Sequence, residues 1–340
     1  MFELPFAVRQ HIEERLDTLV KKHGQSALHQ AAARLSQRYL RGGQNHLSDA
    51  FAVPVYLGTR LPATYAAASH CLHQLTQAYP DFAPTQCIDL GAGPGSVALA
   101  AHACLNVTQF VLFEAELKMR QAGQELFAAQ GLSAQWQAGH LPHFPTLNEN
   151  LTGDTEEGLS RLWTAGYVLN ELTPAQRTAF YTACVEQVNT RDVLLIIEPG
   201  TPVGYEHILS AREAFLHKGW QVLAPCTHGT ACPLPEGDWC HFAERLSRSH
   251  YHRLFKGGAR GFEDEKFAYL AVTPKKTTLP VVGRLLRQPR QHKGHVQLRL
   301  CTPEGIQEPV VGKKHKAYKR LKKAKWGDGL DAQTRNSVLS

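Results

Sequence analysis

Three thiols fall close together in Ala-Pro-Cys226-Thr-His-Gly-Thr-Ala-Cys232-Pro-Leu-Pro-Glu-Gly-Asp-Trp-Cys240-His-Phe. Prolines and glycines around them indicate a loop rather than a helix face. Soft thiolates clustered in a loop suit zinc or an iron–sulfur cluster, and either needs a fourth ligand. Cys301 is the one further thiol in the C-terminal part of the chain, and His228 and His241 are alternatives. The spacing, C-x5-C-x7-C, is not the C-x2-C of common zinc ribbons. The other four cysteines, Cys71, Cys87, Cys104 and Cys184, are scattered in apolar or helical contexts and read as small core residues. No basic stretch followed by an apolar stretch opens the chain, and Glu3, Glu13, Glu14 and Asp17 come early. That start resembles neither a secretory signal nor a transit peptide, so the expected location is the cytoplasm and disulfides are not expected.

A second constellation is Asp89-Leu-Gly91-Ala-Gly93-Pro-Gly95-Ser96, between the strand-like Cys87-Ile88 and the helical SVALAAHACL. Glycines let a backbone turn sharply and approach a ligand where a Cβ would clash. Asp89 ends its strand, and Glu114 follows the next strand, 23 residues after Gly91. An acid so placed can grip ribose hydroxyls in a Rossmann-type crevice. The dinucleotide pattern G-x-G-x-x-G is absent. The string instead resembles the first motif of class I S-adenosylmethionine-dependent methyltransferases, which implies that the loop holds the cofactor's methionine portion and Glu114 its ribose. A later strand reads as ending at Val168-Leu-Asn170-Glu171-Leu172. By the same resemblance Asn170 and Glu171 face the transferring methyl group. The alternative is a helix start capped by Asn170. Neither an Asn-Pro-Pro-Tyr motif nor a catalytic cysteine pair accompanies the loop, so no catalytic residue is assigned.

The elements that must position these groups change character along the chain. Residues 1–82 read as helices, with apolar residues at three- and four-residue spacing in FAVRQHIEERLDTLV and ALHQAAARLSQRYL and a break at Gly42-Gly43. Residues 83–274 alternate strand-like runs (CIDLG, FVLFE, LWTAGYVL, VLLIIEP, FAYLAVTP) with helical segments, predicting a doubly wound α/β domain carrying the cysteine loop at about 224–242. Residues 275–340 form a basic extension in which stretches such as GHVQLRLC alternate like short strands. Between Lys275 and Lys325 stand 15 Lys or Arg against only Glu304 and Glu308, so the net charge of +7 lies wholly there. Such a field suits a polyanion, with nucleic acid favoured over a solvated tail. Arg245, Arg248, Arg253, Lys256 and Arg260 either extend that surface or form a solvated helix face. No run of apolar residues is long enough for a membrane-spanning helix.

Several further stretches, with those above, resemble one family: the mitochondrial-type small-ribosomal-subunit assembly factors, methyltransferase-like and iron–sulfur-containing, with bacterial relatives. They are Arg60-Leu-Pro-Ala-Thr-Tyr-Ala-Ala67, Glu198-Pro-Gly-Thr-Pro-Val-Gly204, Ala224-Pro-Cys-Thr-His228, Asp238-Trp-Cys-His-Phe242, Glu263-Asp-Glu-Lys-Phe267 and Lys325-Trp-Gly-Asp328. The resemblance runs from about residue 50 to residue 328. It implies a methyltransferase fold, S-adenosylmethionine, and a 4Fe-4S cluster whose ligands match Cys226, Cys232, Cys240 and Cys301. It also implies binding to small-subunit ribosomal RNA, with no membrane partner and a free monomer.

Two readings follow. One is an RNA-binding assembly factor on a cofactor-binding scaffold, its methyl transfer lost. The other is an active methyltransferase acting on ribosomal RNA or a ribosomal protein. A small-molecule methyltransferase with structural zinc has no need of the basic extension. In the first reading the cluster staples the cysteine loop to that extension.

Overall fold

The computed structural model describes residues 2–41, 50–144, 160–257 and 260–339; Gly42-Gly43 lies outside them. Three helices open the chain: α1 (Phe6–His23), α2 (Gln25–Arg41) and α3 (Ala52–Ala78). α3 is buried along most of its length, and its small residues Ala63, Ala66, Ala67 and Ala68 let neighbouring elements approach closely.

The strands and helices then alternate: β1 (Gln86–Leu90), α4 (Ser96–Leu105), β2 (Gln109–Phe113), α5 (Leu117–Ala129), β3 (Gln135–Gln137) and β4 (Arg161–Gly166). They continue with α6 (Pro174–Gln187), β5 (Val193–Pro199), α7 (Pro202–His217), β6 (Gln221–Ala224), β7 (Phe242–Ser247), α8 (His250–Lys256) and β8 (Phe262–Thr273). The sheet order is β3-β2-β1-β4-β5-β8-β6, with β7 also on β8. β3, β2, β1, β4 and β5 are parallel, and β8 runs antiparallel to β5, β6 and β7. This mixed α/β sheet, with its last long strand inserted backwards beside β5, is the class I methyltransferase architecture expected from the sequence. Helices cover both faces, so central strands such as Val193-Leu-Leu-Ile-Ile197 are apolar without alternation. Thr173 caps α6 in a capping box with Gln176, and Thr201 caps α7, with proline at the first position of each helix.

The remainder forms two small sheets. One is β10-β11-β14 (Arg290–His292, His295–Gln297, Val310–Gly312). The other is β13-β12-β9-β15 (Gly305–Gln307, Leu300–Thr302, Val281–Leu285, Gly329–Asp331). Short helices α9 (Tyr318–Leu321) and α10 (Ala332–Leu339) complete it, around a core that includes Leu285, Val296, Leu300, Val311 and Leu321. The His295–Cys301 stretch does supply two short strands, β11 and β12. Among the described residues no helix is long and apolar enough to cross a membrane.

Two readings of the sequence need correction. The strand before Asn170 stops at Gly166, because Tyr167 takes φ +64° and Leu169–Glu171 turn as a 3-10 helix; the cap of the following helix is Thr173, not Asn170. The Arg245–Arg260 series is not one helix face. Arg245 stands on β7, Arg248 follows that strand, Arg253 and Lys256 lie on α8, and Arg260 precedes β8. Arg245 pairs with Asp264, while Arg248 and Lys256 both meet Glu263, so much of that charge is internally balanced.

Candidate functional site

The glycine loop leaves the carboxyl end of β1, where open α/β sheets bind their ligands. Gly91, Gly93 and Gly95 have φ of +75°, +55° and +83°. A Cβ on Gly91 would stand 2.4 Å from Val168 Cγ1, and one on Gly95 would stand 2.6 Å from Phe127 Cε2. Those two glycines are required by the protein's own packing. Gly93 differs: a Cβ there would meet only the Tyr56 hydroxyl, at 3.8 Å, so this is the glycine that leaves room above the loop.

Glu114 joins the loop to the end of β2. Its Oε2 accepts from the Gly93 N–H at 2.8 Å and its Oε1 from the Glu116 N–H at 2.8 Å. Burial nonetheless lifts its carboxyl above the usual range, partly offset by those two donors. Each oxygen keeps a second acceptor position, which suits a pair of ribose hydroxyls. Asp89 is 1% exposed; its Oδ1 accepts from the Thr164 hydroxyl at 2.7 Å, and its Oδ2 has no partner. Burial pushes this carboxyl up to about 7. Asn170 and Glu171 lie on the 3-10 turn beyond β4, each with part of its surface open to solvent while neighbouring groups crowd the Glu171 carboxyl. Desolvation, then the charges of Glu114 and Glu198, push Glu171 up to about 7.

Four residues not singled out as site residues border this crevice. Tyr56 lies within electrostatic reach of Arg60, Glu114 and Glu171. Arg60 reaches Glu265 at 3.3 Å, and the Tyr167 hydroxyl donates to the same carboxylate at 3.1 Å. This links the Arg60–Ala67 and Glu263–Phe267 stretches through one partly buried charge cluster. A lone Arg inside a long, otherwise uncharged helix was the signal for Arg60. Tyr167 carried none.

The second site lies at the junction with the C-terminal module. Cys226 follows β6, Cys232 and Cys240 stand in the loop before β7, and Cys301 is central in β12. All four line one interior cavity. They line its wall without being drawn together: among the described residues no three Cys, His, Asp or Glu side chains form a ready metal-holding group. The donor set, four thiols from a loop and a strand facing one cavity, fits a thiolate-bound metal or cluster. His228 also borders the cavity, its Nε2 3.5 Å from Cys301 Sγ. His241 does not; it stacks on Trp239 and meets Trp326 edge-on. Burial pushes Cys226 and Cys240 up and Cys301 to about 12. The Tyr205 hydroxyl donates to Cys232 Sγ at 3.2 Å. Of the other cysteines, Cys71, Cys87 and Cys184 are fully buried and Cys104 partly so.

Three arginines of the basic segment turn inward at this junction. Asp238 accepts from Arg287 and, at 2.7 Å, from Arg299. Arg284 donates to the carbonyl of Pro225 at 2.9 Å and of Gly327 at 3.0 Å. Its position inside the apolar run Val281-Val-Gly-Arg-Leu-Leu286 was the sequence signal that it is buried for a purpose. The exposed cations are others: Arg290, Lys293, Lys313, Lys314, Lys316 and Lys319 among them.

Human ribosome assembly protein METTL17, mitochondrial, is 27% identical over 305 residues, covering 82% of this chain. The chain spans 62% of that relative's length. A ribosomal protein L11 methylase from Lactobacillus delbrueckii subsp. bulgaricus is 14% identical, covering 62% of this chain and 79% of its own, with a TM-score of 0.35. A precorrin-6y C5,15-methyltransferase from Geobacter metallireducens is 14% identical, covering 62% and 86%, with a TM-score of 0.37. The family model described as "Mitochondrial small ribosomal subunit Rsm22" matches residues 50–331, from just before α3 to the end of β15, and the chain belongs to that family.

Proposed function

We propose that this protein is a small-ribosomal-subunit assembly factor that uses a methyltransferase fold as a scaffold, binds ribosomal RNA and carries a 4Fe-4S cluster. The observation that carries the reading is the junction: four thiols, distant in sequence, border one cavity between the sheet domain and a module whose exposed surface is rich in Lys and Arg. The name of the human relative supports the ribosomal assignment. Cys226, Cys232, Cys240 and Cys301 would hold the cluster, which supplies a covalent tie between loop and module and a one-electron couple. Asp89, Gly91, Gly93, Gly95 and Glu114 would hold S-adenosylmethionine, which supplies an activated methyl group. Glu114 would orient the ribose, Gly93 would leave room for the methionine portion, and Asn170 and Glu171 would border the methyl end. The protein acts in the cytoplasm in this reading, as a monomer when free.

A second reading, an active methyltransferase on ribosomal RNA or protein, draws on Glu171. A carboxyl pushed up to about 7 beside a cofactor crevice is poised for proton transfer. Transfer of labelled methyl groups to immature small subunits from a strain lacking the protein separates the two. Binding without label is the expected result. Label on immature particles only, lost in a glycine-loop variant, would make the protein an enzyme. Neither binding nor label would remove the ribosomal reading.

A further inference from the structure

The cavity between the sheet domain and the C-terminal module holds two cations as well as four thiols. Arg212 on α7 and Arg284 on β9 both line it, at 3% and 1% exposure. Arg212 Nη2 donates to the carbonyls of His228 at 3.0 Å and Thr230 at 2.6 Å, while its Nε has no partner. Arg284 donates through Nε to Pro225 and through Nη1 to Gly327 and Gln74, while its Nη2 has no partner. Neither pairs with a carboxylate among the described residues, and no Asp or Glu lines the cavity.

A guanidinium keeps its charge in any protein environment. Burying one without a counter-ion is strongly unfavourable, and two in one cavity repel each other as well. Negative charge must therefore reside in the cavity when the protein is in its working state. Neutral thiols do not supply it. Thiolates bound to a metal centre do, since the ligand charge exceeds what the metal cancels.

We propose that Arg212 and Arg284 are the built-in counter-ions of an anionic metal–thiolate group, and the positioning residues that wrap the cysteine loop and β12 around it. This rests on the reading of the four cysteines as metal ligands. The geometry gives each arginine a distinct hold. Arg284 stands opposite Cys301 in the β9–β12 register and reaches the carbonyl next to Cys226, so it sets strand thiol against loop thiol. Arg212 gathers the carbonyls of His228 and Thr230, fixing the loop between Cys226 and Cys232. Both spend part of the guanidinium on backbone and leave one nitrogen for the occupant.

The test separates charge from shape. The full chain is loaded anaerobically with ferrous iron and sulfide, and in parallel with zinc, as wild type and as Arg212→Gln, Arg212→Lys, Arg284→Gln and Arg284→Lys. Far-UV circular dichroism selects folded variants, and if one arginine's variants do not fold the other pair decides. The readouts are the rate of metal loss to a chelator and, for the iron–sulfur form, the reduction midpoint. Each Gln variant is expected to lose metal about tenfold faster than its Lys counterpart, the scale typical for residues supporting metal ligands. Its midpoint is expected to move to more negative potential, with the Lys variant near wild type. Gln and Lys variants that match each other in both readouts would overturn the counter-ion role alone. A wild-type chain that retains neither iron–sulfur nor zinc would overturn the metal reading and this proposal with it.

Discussion

Asp89 is a carboxylate buried at the end of β1 and only half served by its neighbours. One oxygen is served by Thr164 and the other by nothing, so burial raises its pKa from 3.8 to about 7. The folded chain then keeps a proton that the unfolded chain releases between about pH 4 and 7. Folding takes up a proton in that window, so this group's contribution to stability falls as pH rises through it. Asp89→Asn keeps the acceptor for Thr164 and removes the ionisable group. Without cofactor, the variant is expected to gain stability over wild type as pH goes from 5 to 8, by about 3 kcal/mol at the upper end, and so to show a rising difference in thermal midpoint. Midpoints of both proteins measured across that range decide it; a constant difference would mean that Asp89 does not titrate there. The carboxylates themselves were legible in the sequence, because an acid at a strand end beside glycines is a local pattern. Which glycine faces the ligand was not: Val168 and Phe127, the residues that claim Gly91 and Gly95, come from distant parts of the chain.

At the level of elements, β8 is the strand that organises the crevice and the junction alike. Its second half, Phe267–Thr273, is apolar and was visible as a strand, whereas its first half, Phe262-Glu-Asp-Glu-Lys266, is charged and carries no strand pattern. Those charges are on a strand because partners across it accept them: Glu265 takes Arg60 and Tyr167, and Asp264 takes Arg245. Long-range pairing of this kind leaves no local trace, which is also why β7 was missed. The same tertiary demand ended β4 early. The Tyr167 turn lets its hydroxyl reach Glu265, and the Leu169 N–H meets buried Glu198 at 2.8 Å. The two ion pairs on β8 should behave differently. Arg60→Ala leaves Glu265, only 10% exposed at its side chain, with Tyr167 as its remaining donor. An expected loss of about 2 kcal/mol lies between exposed and fully buried pairs. Arg245→Ala breaks a pair in which both side chains are open to solvent, and the urea midpoint is expected to stay at the wild-type value. Urea unfolding of the two variants side by side tests this; equal losses would mean that Glu265 is no more desolvated than Asp264.

Across the whole molecule, the basic excess divides into two populations that composition cannot separate. Arg284, Arg287 and Arg299 are engaged inside the junction, whereas Lys293, Lys313, Lys314 and Lys316 are exposed. The Lys313 N–H donates to the carbonyl of Gly294 at 2.7 Å, so the exposed lysines gather at the β10–β11 turn and the segment after β14. If that face meets ribosomal RNA, each lysine there that neutralises a phosphate releases a counterion, and the slope of log K against log salt counts them. Replacing Lys293, Lys313, Lys314 and Lys316 together by Gln should flatten that slope by about three, at roughly 0.7–0.9 per phosphate contact. Replacing Arg299 by Gln should leave the slope unchanged, because its guanidinium is already committed to Asp238 and Glu308. Any loss of affinity in that variant would be independent of salt and would come from a loosened junction. Titrating small-subunit RNA at several salt concentrations with both variants therefore distinguishes the cations that hold the molecule together from those that touch its partner. A slope that drops equally in both would mean that the inward arginines let go of Asp238 to meet the RNA, and the junction would then be part of the binding surface.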